Sequence, residues 1–279
     1  MYKWNAADYQ KNSEAQLNWG RELIAKLGLH GKENILDIGC GDGKVTADIA
    51  AHVPDGRVVG IDSSSAMIDL ACKTFPANDF PNLRFFQMDA RELTFSNEFD
   101  IIFSNAVLHW VDDHRKVLSG IYKGLKTPGK ILLQMGGRGN VAGMMAVMRS
   151  ITEKAQWKAY FSGFVSPYNF YGPAEYSEWL SEMHFEPVRL ELIPKDMTQR
   201  GREGFMGWIR TTWHPFIHCV PELEQQEFIR QAVDSYLTNH PMNPEGLVHI
   251  DVVRLEVEAM KLNHSKKQHG APSASAPCC

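Results

Sequence analysis

A glycine-rich segment of the sequence, residues 37–43 (DIGCGDG), is suited to binding a small molecule through its backbone. Gly39, Gly41 and Gly43 lie between an apolar run and a helix-like stretch, where glycines let the chain turn sharply and approach a ligand closely. Their G-x-G-x-G spacing differs from the G-x-G-x-x-G of dinucleotide-binding loops, and no P-loop spacing precedes Lys44. We therefore expect this loop to contact a ligand, with a glycine-rich turn that binds nothing as the alternative.

Polar side chains follow three further apolar runs, where strands of a sheet are predicted to end. Asp62 ends the second predicted strand, Asp89 the third and Asn105 the fourth. An acid at Asp62 can accept both ribose hydroxyl protons of a nucleoside, and one at Asp89 can accept from an adenine amino group. Taken singly, each residue could instead cap a helix or form a turn. Together they predict a ligand site at the carboxyl edge of the sheet.

The elements that must position these residues alternate between strand and helix. Several of the predicted strands are continuous apolar runs, which is typical of a parallel sheet covered on both faces. The predicted strands are Ile35–Gly39, Arg57–Asp62, Leu83–Asp89, Phe99–Asn105 and Lys130–Met135. This pattern predicts an α/β fold, a doubly wound and mostly parallel sheet.

Three segments are expected along the chain. Residues 1–33 are predicted to form an N-terminal helical lid of one or two amphipathic helices over the sheet edge. Residues 34–262 form the ligand-binding domain, with a helical region at about 140–245 on the side of the second substrate. Residues 263–279 hold no large apolar side chain and are expected to be disordered.

Composition narrows the class of protein. Lys+Arg 29 against Asp+Glu 33 in 279 residues gives a net charge of -4, which disfavours nucleic acid as a partner. No apolar run is long enough for a transmembrane helix, and the N-terminus lacks the apolar segment of a secretory signal. Five cysteines without framework spacing favour a reducing compartment. The sequence therefore indicates a cytoplasmic enzyme.

Four motifs in order, LDIGCGDG (36–43), GID (60–62), QMDA (87–90) and FDIIFSNAVLHWVDD (99–113), resemble those of class I S-adenosylmethionine-dependent methyltransferases. The resemblance covers roughly residues 33–136 and implies S-adenosyl-L-methionine as cofactor and S-adenosyl-L-homocysteine as product. It also implies that the acid at Asp37 lies near the methionine amino group, and that Asp89 with Ala90 borders the adenine. The cofactor-binding residues it implies are Asp37, Gly39, Gly41, Gly43, Asp62, Ser63, Asp89, Ala90 and Asn105.

The methyl acceptor is predicted from the scarcity of catalytic bases. Alcohol and carbon acceptors need a base or a metal, whereas a carboxylate is already ionised near neutral pH. His109 is the one base candidate after the cofactor motifs, and Trp110 follows it directly. This favours a carboxylic acid, and N- or C-methylation of a small metabolite or a non-catalytic cofactor-binding regulator are the alternatives.

A narrower resemblance supports a carboxylate acceptor. The segments Trp4–Gln16, Leu108–Trp110 and Trp208–Ile217 are similar to trans-aconitate methyltransferases, and FVSPY (164–168) with LHWVDD (108–113) to insect juvenile hormone acid methyltransferases. Both groups make methyl esters, so the resemblance implies O-methylation of a small or isoprenoid organic acid.

The candidate residues for holding the acceptor come from the same segments. Arg210 can pair bidentately with a carboxylate, although a solvated helix-face arginine is the equal alternative. The acceptor-binding candidates are Gln16, His109, Trp110 and Arg210. A zinc-like spacing at His214, His218 and Cys219 is interrupted by Pro215, so no metal is predicted.

Overall fold

The computed structural model of the protein describes residues 14–262, with side chains from residue 19 onward. Its centre is a seven-stranded sheet in the order β3-β2-β1-β4-β5-β7-β6. The first five strands pair in parallel, and β7 runs antiparallel to both of its neighbours. The strands are β1 (Asn34–Ile38), β2 (Arg57–Asp62), β3 (Leu83–Gln87), β4 (Phe99–Asn105), β5 (Leu125–Gly136), β6 (Phe185–Arg200) and β7 (Leu247–Lys261). The predicted doubly wound, mostly parallel sheet is confirmed.

Helices cover both faces of this sheet. Nine α-helices lie within the described residues: α1 (Glu14–Leu27), α2 (Lys44–His52), α3 (Ser65–Thr74), α4 (His114–Gly124), α5 (Ala142–Thr152), α6 (Pro173–Glu182), α7 (Gly201–Thr212), α8 (His214–Ile217) and α9 (Glu222–Asn239). Short 3₁₀ turns follow β3, β4 and α5, at Ala90–Glu92, Leu108–Trp110 and Lys158–Phe161. None of the helices between residues 14 and 262 is long and apolar enough to span a bilayer.

The strand order places a cleft at the carboxyl ends of β1 and β4. The chain moves outward in one direction through β2 and β3, and in the other direction through β5. Where these directions diverge, the loops after β1 and β4 leave the sheet on opposite faces and a crevice opens between them. The glycine-rich loop and the segment that carries His109 therefore border the same crevice.

Helix α1, the described part of the predicted N-terminal lid, packs over one face of the sheet and reaches the edge strand β6, where Glu22 pairs with Lys195. Its apolar stripe, Leu23, Ile24 and Leu27, is buried in a hydrophobic core that also contains residues of α2, α3 and strands β1 to β5. Lys26 at its end pairs with the buried carboxylate of Glu256 in β7, at 2.8 Å. Residues 1–13, the first part of the predicted lid, lie outside the described residues, as does the predicted tail 263–279.

A second hydrophobic core fills the region after residue 140. Helices α5, α7, α8 and α9 pack on the ends of β6 and β7 that extend away from the parallel strands. This core is rich in aromatic side chains, among them Phe205, Trp208, Trp213 and Phe228. It builds a wall beside the carboxyl edge of the sheet, where the helical region on the second-substrate side was expected.

Candidate active site

A cavity of about 690 Å³ opens at the carboxyl edge of the sheet, within the size range of small-molecule sites. Six of the nine residues implied as cofactor ligands line this larger cavity. They are Gly39, Gly41, Asp62, Ser63, Asp89 and Ala90. Residues that were not among the predicted site residues complete it, among them Met67, Met88, Arg91, Val165 and Asn169.

Two of the loop glycines serve different purposes. Gly41 has a φ of 53°, and no atom lies within 4 Å of the position where a Cβ would stand, so its backbone faces the open cavity. At Gly43 a Cβ would lie 2.7 Å from the ring of Phe85 and 3.0 Å from Ala71. Gly43 therefore lets α2 pack closely on its neighbours and does not line the larger cavity.

Asp62 is held at the end of β2 by backbone groups of two loops. Its Oδ2 accepts from the Gly41 amide at 3.1 Å, and its Oδ1 accepts from the Ser64 amide at 2.8 Å. Burial raises the pKa of this carboxyl, and the two backbone hydrogen bonds oppose that rise. Each carboxylate oxygen keeps a second lone pair, so Asp62 can accept a pair of hydroxyl protons from a ligand.

Asp89 is part of an ion pair that the sequence did not suggest. Arg91 donates to both of its carboxylate oxygens and also to Asp112. These contacts hold the pKa of Asp89 below its usual value, so it stays ionised near neutral pH. All three residues line the larger cavity, where Asp89 remains an acceptor and Arg91 is already paired.

Asp37 and Asn105 stand apart from the lining of the larger cavity. Asp37 is 2% exposed within β1, and its Oδ2 accepts from the Thr46 hydroxyl at 2.7 Å. Burial raises its pKa to about 7, with the nearby Asp62 charge adding to the rise. Asn105 ends β4 close to Gly20 of α1. Both lie at or near the carboxyl ends of their strands, but neither lines the larger cavity.

A smaller cavity of about 90 Å³ adjoins the larger one, sharing Ala106 and Trp110 with it. Its lining is dominated by aromatic side chains from the second core and from α1. The remaining lining residues are Trp19, His109, Asn140, Val141, Tyr168, Phe170, Met197, Trp208, Thr212, Trp213, Val252 and Arg254. Trp110 stands between the two cavities, with its ring centroid 4.8 Å from that of Tyr168 and 5.4 Å from that of His214.

Two residues of the smaller cavity have strained backbones. Ala106 and Val141 adopt φ angles of 61° and 46°, in the left-handed region that residues with a Cβ avoid. For the β-branched Val141 this backbone conformation costs of the order of 1–3 kcal/mol of folding free energy, which the surrounding packing must offset. Such strain is found at functional sites, and two of the four non-glycine residues with a positive φ in the described chain line this cavity.

His109 is held as a neutral hydrogen-bond donor. Its Nδ1 accepts from the Gly136 amide at 3.3 Å, so the proton of the neutral ring resides on Nε2. Burial lowers the pKa of His109 well below its usual value, and the positive charge of Arg254 lowers it further. With Nδ1 occupied and Nε2 protonated, the ring has no lone pair to serve as a general base.

Arg254, which the sequence analysis missed, brings a positive charge to the smaller cavity. It lies in β7 opposite Gly136, the residue that holds His109, and is only 5% exposed. Its guanidinium lies 5.1 Å from the centre of the Trp19 ring. The sequence did contain a signal for this residue, because Arg254 lies inside the apolar run LVHIDVVRLEVEAM. A charged side chain in a buried strand is rare unless it is paired or has a function.

A buried histidine fixes the turn that carries His109 and Trp110. His114 Nε2 lies 2.8 Å from the Leu108 carbonyl, which can only accept, so that nitrogen carries the proton. Its Nδ1 then accepts from the Tyr176 hydroxyl at 2.7 Å. Burial lowers the pKa of His114 to about 4, so this arrangement persists through neutral pH. Neither His114 nor Tyr176 was identified from the sequence.

Of the predicted acceptor-binding residues, His109 and Trp110 come together and Arg210 does not join them. Arg210 is exposed on α7 and lines neither cavity. At 3.6 residues a turn it points roughly 200° from Trp208 and Thr212, which do line the smaller cavity. Gln16 lies in the first turn of α1, and its side chain is outside the described part of the protein.

Among residues 14–262, no group of three or more His, Cys, Asp or Glu is placed to hold a metal ion.

The sequence is similar to known methyltransferases along most of its length. Residues 35–129 match a family model described as a methyltransferase domain. An uncharacterized methyltransferase of Schizosaccharomyces pombe is 29% identical, over 92% of this chain and 98% of that protein. A trans-aconitate 2-methyltransferase of Deinococcus radiodurans is also 29% identical, over 75% of this chain and 80% of that protein.

Solved structures share the fold. A Haemonchus contortus phosphoethanolamine N-methyltransferase in complex with S-adenosyl-L-methionine matches with a TM-score of 0.59, at 20% identity, over 92% of this chain and 57% of that one. An S-adenosylmethionine-dependent methyltransferase from Aquifex aeolicus matches with a TM-score of 0.51, at 16% identity, over 67% of this chain and 92% of that one. At these identities the likeness concerns the fold alone.

Proposed function

On the premise that the chain is a methyltransferase resembling the class I S-adenosylmethionine-dependent enzymes, among them trans-aconitate methyltransferases, we propose that it O-methylates the carboxylate of a small organic acid. Its cofactor is S-adenosylmethionine. The product of this proposed reaction is a methyl ester, and S-adenosylhomocysteine remains. We also propose, from the sequence, that the protein acts in the cytoplasm and does not bind nucleic acid.

The larger cavity suits this cofactor. Asp62 offers two acceptor positions for a ribose diol, and Gly41 offers bare backbone in the space where a side chain would obstruct the ligand. Asp89 and Ala90 line the same cavity, which supports an adenine-binding role for them. The cofactor supplies, when bound, a methyl group on a positively charged sulfur. Asp37 is proposed as a buried acid near its amino group.

The acceptor assignment rests on a single observation: the smaller cavity contains a buried guanidinium and a histidine that is held as a donor. Among the described side chains that line this cavity there is no carboxylate, and its one imidazole, that of His109, has no lone pair available to remove a proton from an alcohol or a carbon acid. A carboxylate is already ionised and needs no base. The lining therefore supports an acid as the acceptor.

Arg254 and His109 are proposed to hold that acid. The guanidinium replaces the water that a carboxylate loses on entering an apolar cavity, and the Nε2–H of His109 adds a second donor. Trp110, between the two cavities, excludes water from the junction and orients the acid toward the methyl group. Methylation turns the carboxylate into a neutral ester, which loses its ion pair with Arg254 and so favours product release. Gln16 stays a candidate third donor from α1.

A set of compounds with one carbon skeleton tests the proposal. Butanoate, 1-butanol and butylamine are each incubated with the protein and with S-adenosylmethionine labelled in its methyl group. We expect label transfer to butanoate at least tenfold faster than to the other two. Faster transfer to the amine or the alcohol would contradict the proposal, and cofactor binding without transfer to a wide panel of acids would leave a non-catalytic binding protein.

A further inference from the structure

We infer that the smaller cavity binds a second oxygen of the acceptor, so that the preferred acids carry an uncharged carbonyl or hydroxyl group besides the carboxylate. Asn140 is the residue that donates to this oxygen. The inference rests on the proposed carboxylate acceptor and adds the substrate class.

Asn140 brings an amide to the wall of the smaller cavity, and the protein uses only one end of it. The residue is 7% exposed, and its Oδ1 accepts from the Val253 amide at 3.0 Å. Because that N–H needs an acceptor, it fixes Oδ1 on the side of Val253 and Nδ2 on the other side. No residue of the described chain accepts a hydrogen bond from Nδ2. Two amide protons are therefore available to a ligand.

The structural task of Asn140 does not require an amide nitrogen. Holding the Val253 amide takes an oxygen acceptor, which aspartate also has. A buried donor without a partner destabilises the folded protein, because it loses its hydrogen bonds to water and gains none. A ligand, and not the fold, therefore accounts for the donor end of Asn140.

The amide of Asn140 lies next to the groups proposed to hold the carboxylate. Gly136, whose amide donates to His109 Nδ1, pairs with Arg254 across β5 and β7. A Cβ on Gly136 would lie 2.7 Å from Asn140 Nδ2, so the glycine leaves room for the amide beside it. An acid held by His109 and Arg254 can therefore present an oxygen of its own carbon chain to Asn140.

Two further features of this wall favour an oxygen acceptor. Trp213 lines the cavity, and its buried Nε1 has no hydrogen-bond partner among the described residues, although a buried indole N–H usually has one. Val141, the N-cap of α5, also lines the cavity, which brings the positive end of that helix dipole to the wall. An amide, an indole and a helix N-terminus carry no full charge. They suit an uncharged oxygen better than a second carboxylate, whose lost hydration neutral donors offset only in part.

A set of six-carbon acids tests the inference. Hexanoate is compared with 2-oxo-, 4-oxo- and 5-oxohexanoate, whose carbonyl oxygens can only accept, and with adipate, whose second group is charged. Initial rates of methyl ester formation at pH 7.5 give kcat/KM for each acid. We expect the best oxo acid to exceed hexanoate and adipate at least tenfold, because hexanoate leaves buried donors unpaired. If hexanoate or adipate equals or exceeds every oxo acid, the inference is overturned and the carboxylate acceptor stays intact.

Asn140→Asp tests whether this residue is the donor. Aspartate keeps an oxygen for the Val253 amide and replaces both N–H donors with an acceptor. Its charge repels every acid, so the quantity measured is the ratio of kcat/KM for the best oxo acid to kcat/KM for hexanoate. We expect this ratio to fall at least tenfold.

The matched control is Asn243→Asp. The Oδ1 of Asn243 also accepts from a backbone amide, that of Leu247 at 2.8 Å, and the residue lines neither cavity, so the ratio should stay within twofold. Binding of S-adenosylhomocysteine and thermal unfolding show whether each variant is folded. An unchanged ratio in folded Asn140→Asp contradicts the inference, and the comparison of acids with the wild-type protein decides it if that variant does not fold. If the wild-type protein methylates no acid, the proposed function itself fails.

Discussion

Replacing Arg254 with methionine removes the charge from the smaller cavity while keeping an unbranched side chain of similar length. A charged hydrogen bond contributes about 1.5–3 kcal/mol, and an arginine holds a carboxylate through as many as two. A net loss of about 3 kcal/mol in transition-state stabilisation corresponds to a fall of roughly 150-fold in kcat/KM for the best acid. The affinity for S-adenosylhomocysteine should stay within twofold, because Arg254 does not line the larger cavity.

The assay measures methyl ester formation over a range of acid concentrations, with calorimetry for the cofactor product and thermal unfolding for the fold. Arg254→Lys should recover only part of the loss, since lysine keeps the charge without the planar fork. A spectroscopic readout is independent of turnover: the pKa of His109 should rise in Arg254→Met, because the Arg254 charge is one of the causes that lower it.

The matched control is Arg210→Met, which changes the exposed arginine that was one of the predicted acceptor-binding candidates. Because Arg210 lines neither cavity, its replacement should leave kcat/KM within twofold. The reasoning is refuted if Arg254→Met methylates the acid at the wild-type rate, or if Arg210→Met shows the larger loss.

Three further predictions concern the glycine-rich loop and the strands β1 and β2 beside it. Asp62→Ala should weaken S-adenosylhomocysteine binding at least tenfold by calorimetry, at about 1.5–3 kcal/mol per charged hydrogen bond, and unchanged affinity would remove Asp62 from the ribose role. Gly41→Val should abolish detectable cofactor binding, since its side chain meets ligand space and no protein atom, and the strain of a valine at φ 53° should lower the unfolding temperature by only about 2–10 °C, so that the variant still folds; wild-type binding would contradict this. Burial raises the pKa of Asp37 from 3.8 to about 7, so the folded state binds a proton more tightly than the unfolded state, and the unfolding free energy of the cofactor-free protein should fall as pH rises from 4 to 7. Asp37→Asn should flatten that slope in denaturant titrations at several pH values, and an equally steep slope in the variant would assign it to other groups.

The parallel strands of the sheet could be predicted because the local sequence of each one favours the strand that the whole fold requires there. The run ILDIG followed by glycines, and RVVGID ending in an acid, each combine β-branched residues with a turn at the carboxyl end, and both became strands within one residue of the expected bounds. Parallel strands bring their carboxyl ends to one edge of the sheet. The common location of Gly41, Asp62 and Asp89 therefore followed from their positions at the ends of predicted strands.

The acceptor side could be predicted much less well, because its residues meet only through tertiary packing. Arg254 comes from the antiparallel strand β7, Trp19 from α1 and Trp208 from α7, and no sequence spacing links them. For Arg210 the residue type was suitable, but helical phase turned it outward while its apolar neighbours Phe205 and Ile209 took the buried side. The neutral state of His109 depends first on its burial and then on the charge of Arg254, and the Gly136 amide fixes which ring nitrogen carries the proton; the pairing of β5 and β7 brings these groups together.

The central claim, that the methyl group goes to a carboxylate held in the smaller cavity, is tested most directly by the chemical stability of the product. The protein is incubated with butanoate or hexanoate and with methyl-labelled S-adenosylmethionine, and the product is then treated with mild alkali. A methyl ester hydrolyses under these conditions and releases the label as volatile methanol, whereas a methyl group on nitrogen or carbon stays in place. We predict that nearly all of the transferred label becomes volatile, and that the amount falls at least tenfold in Arg254→Met. Label that withstands alkali, or volatile label that is equal in both proteins, would contradict the account.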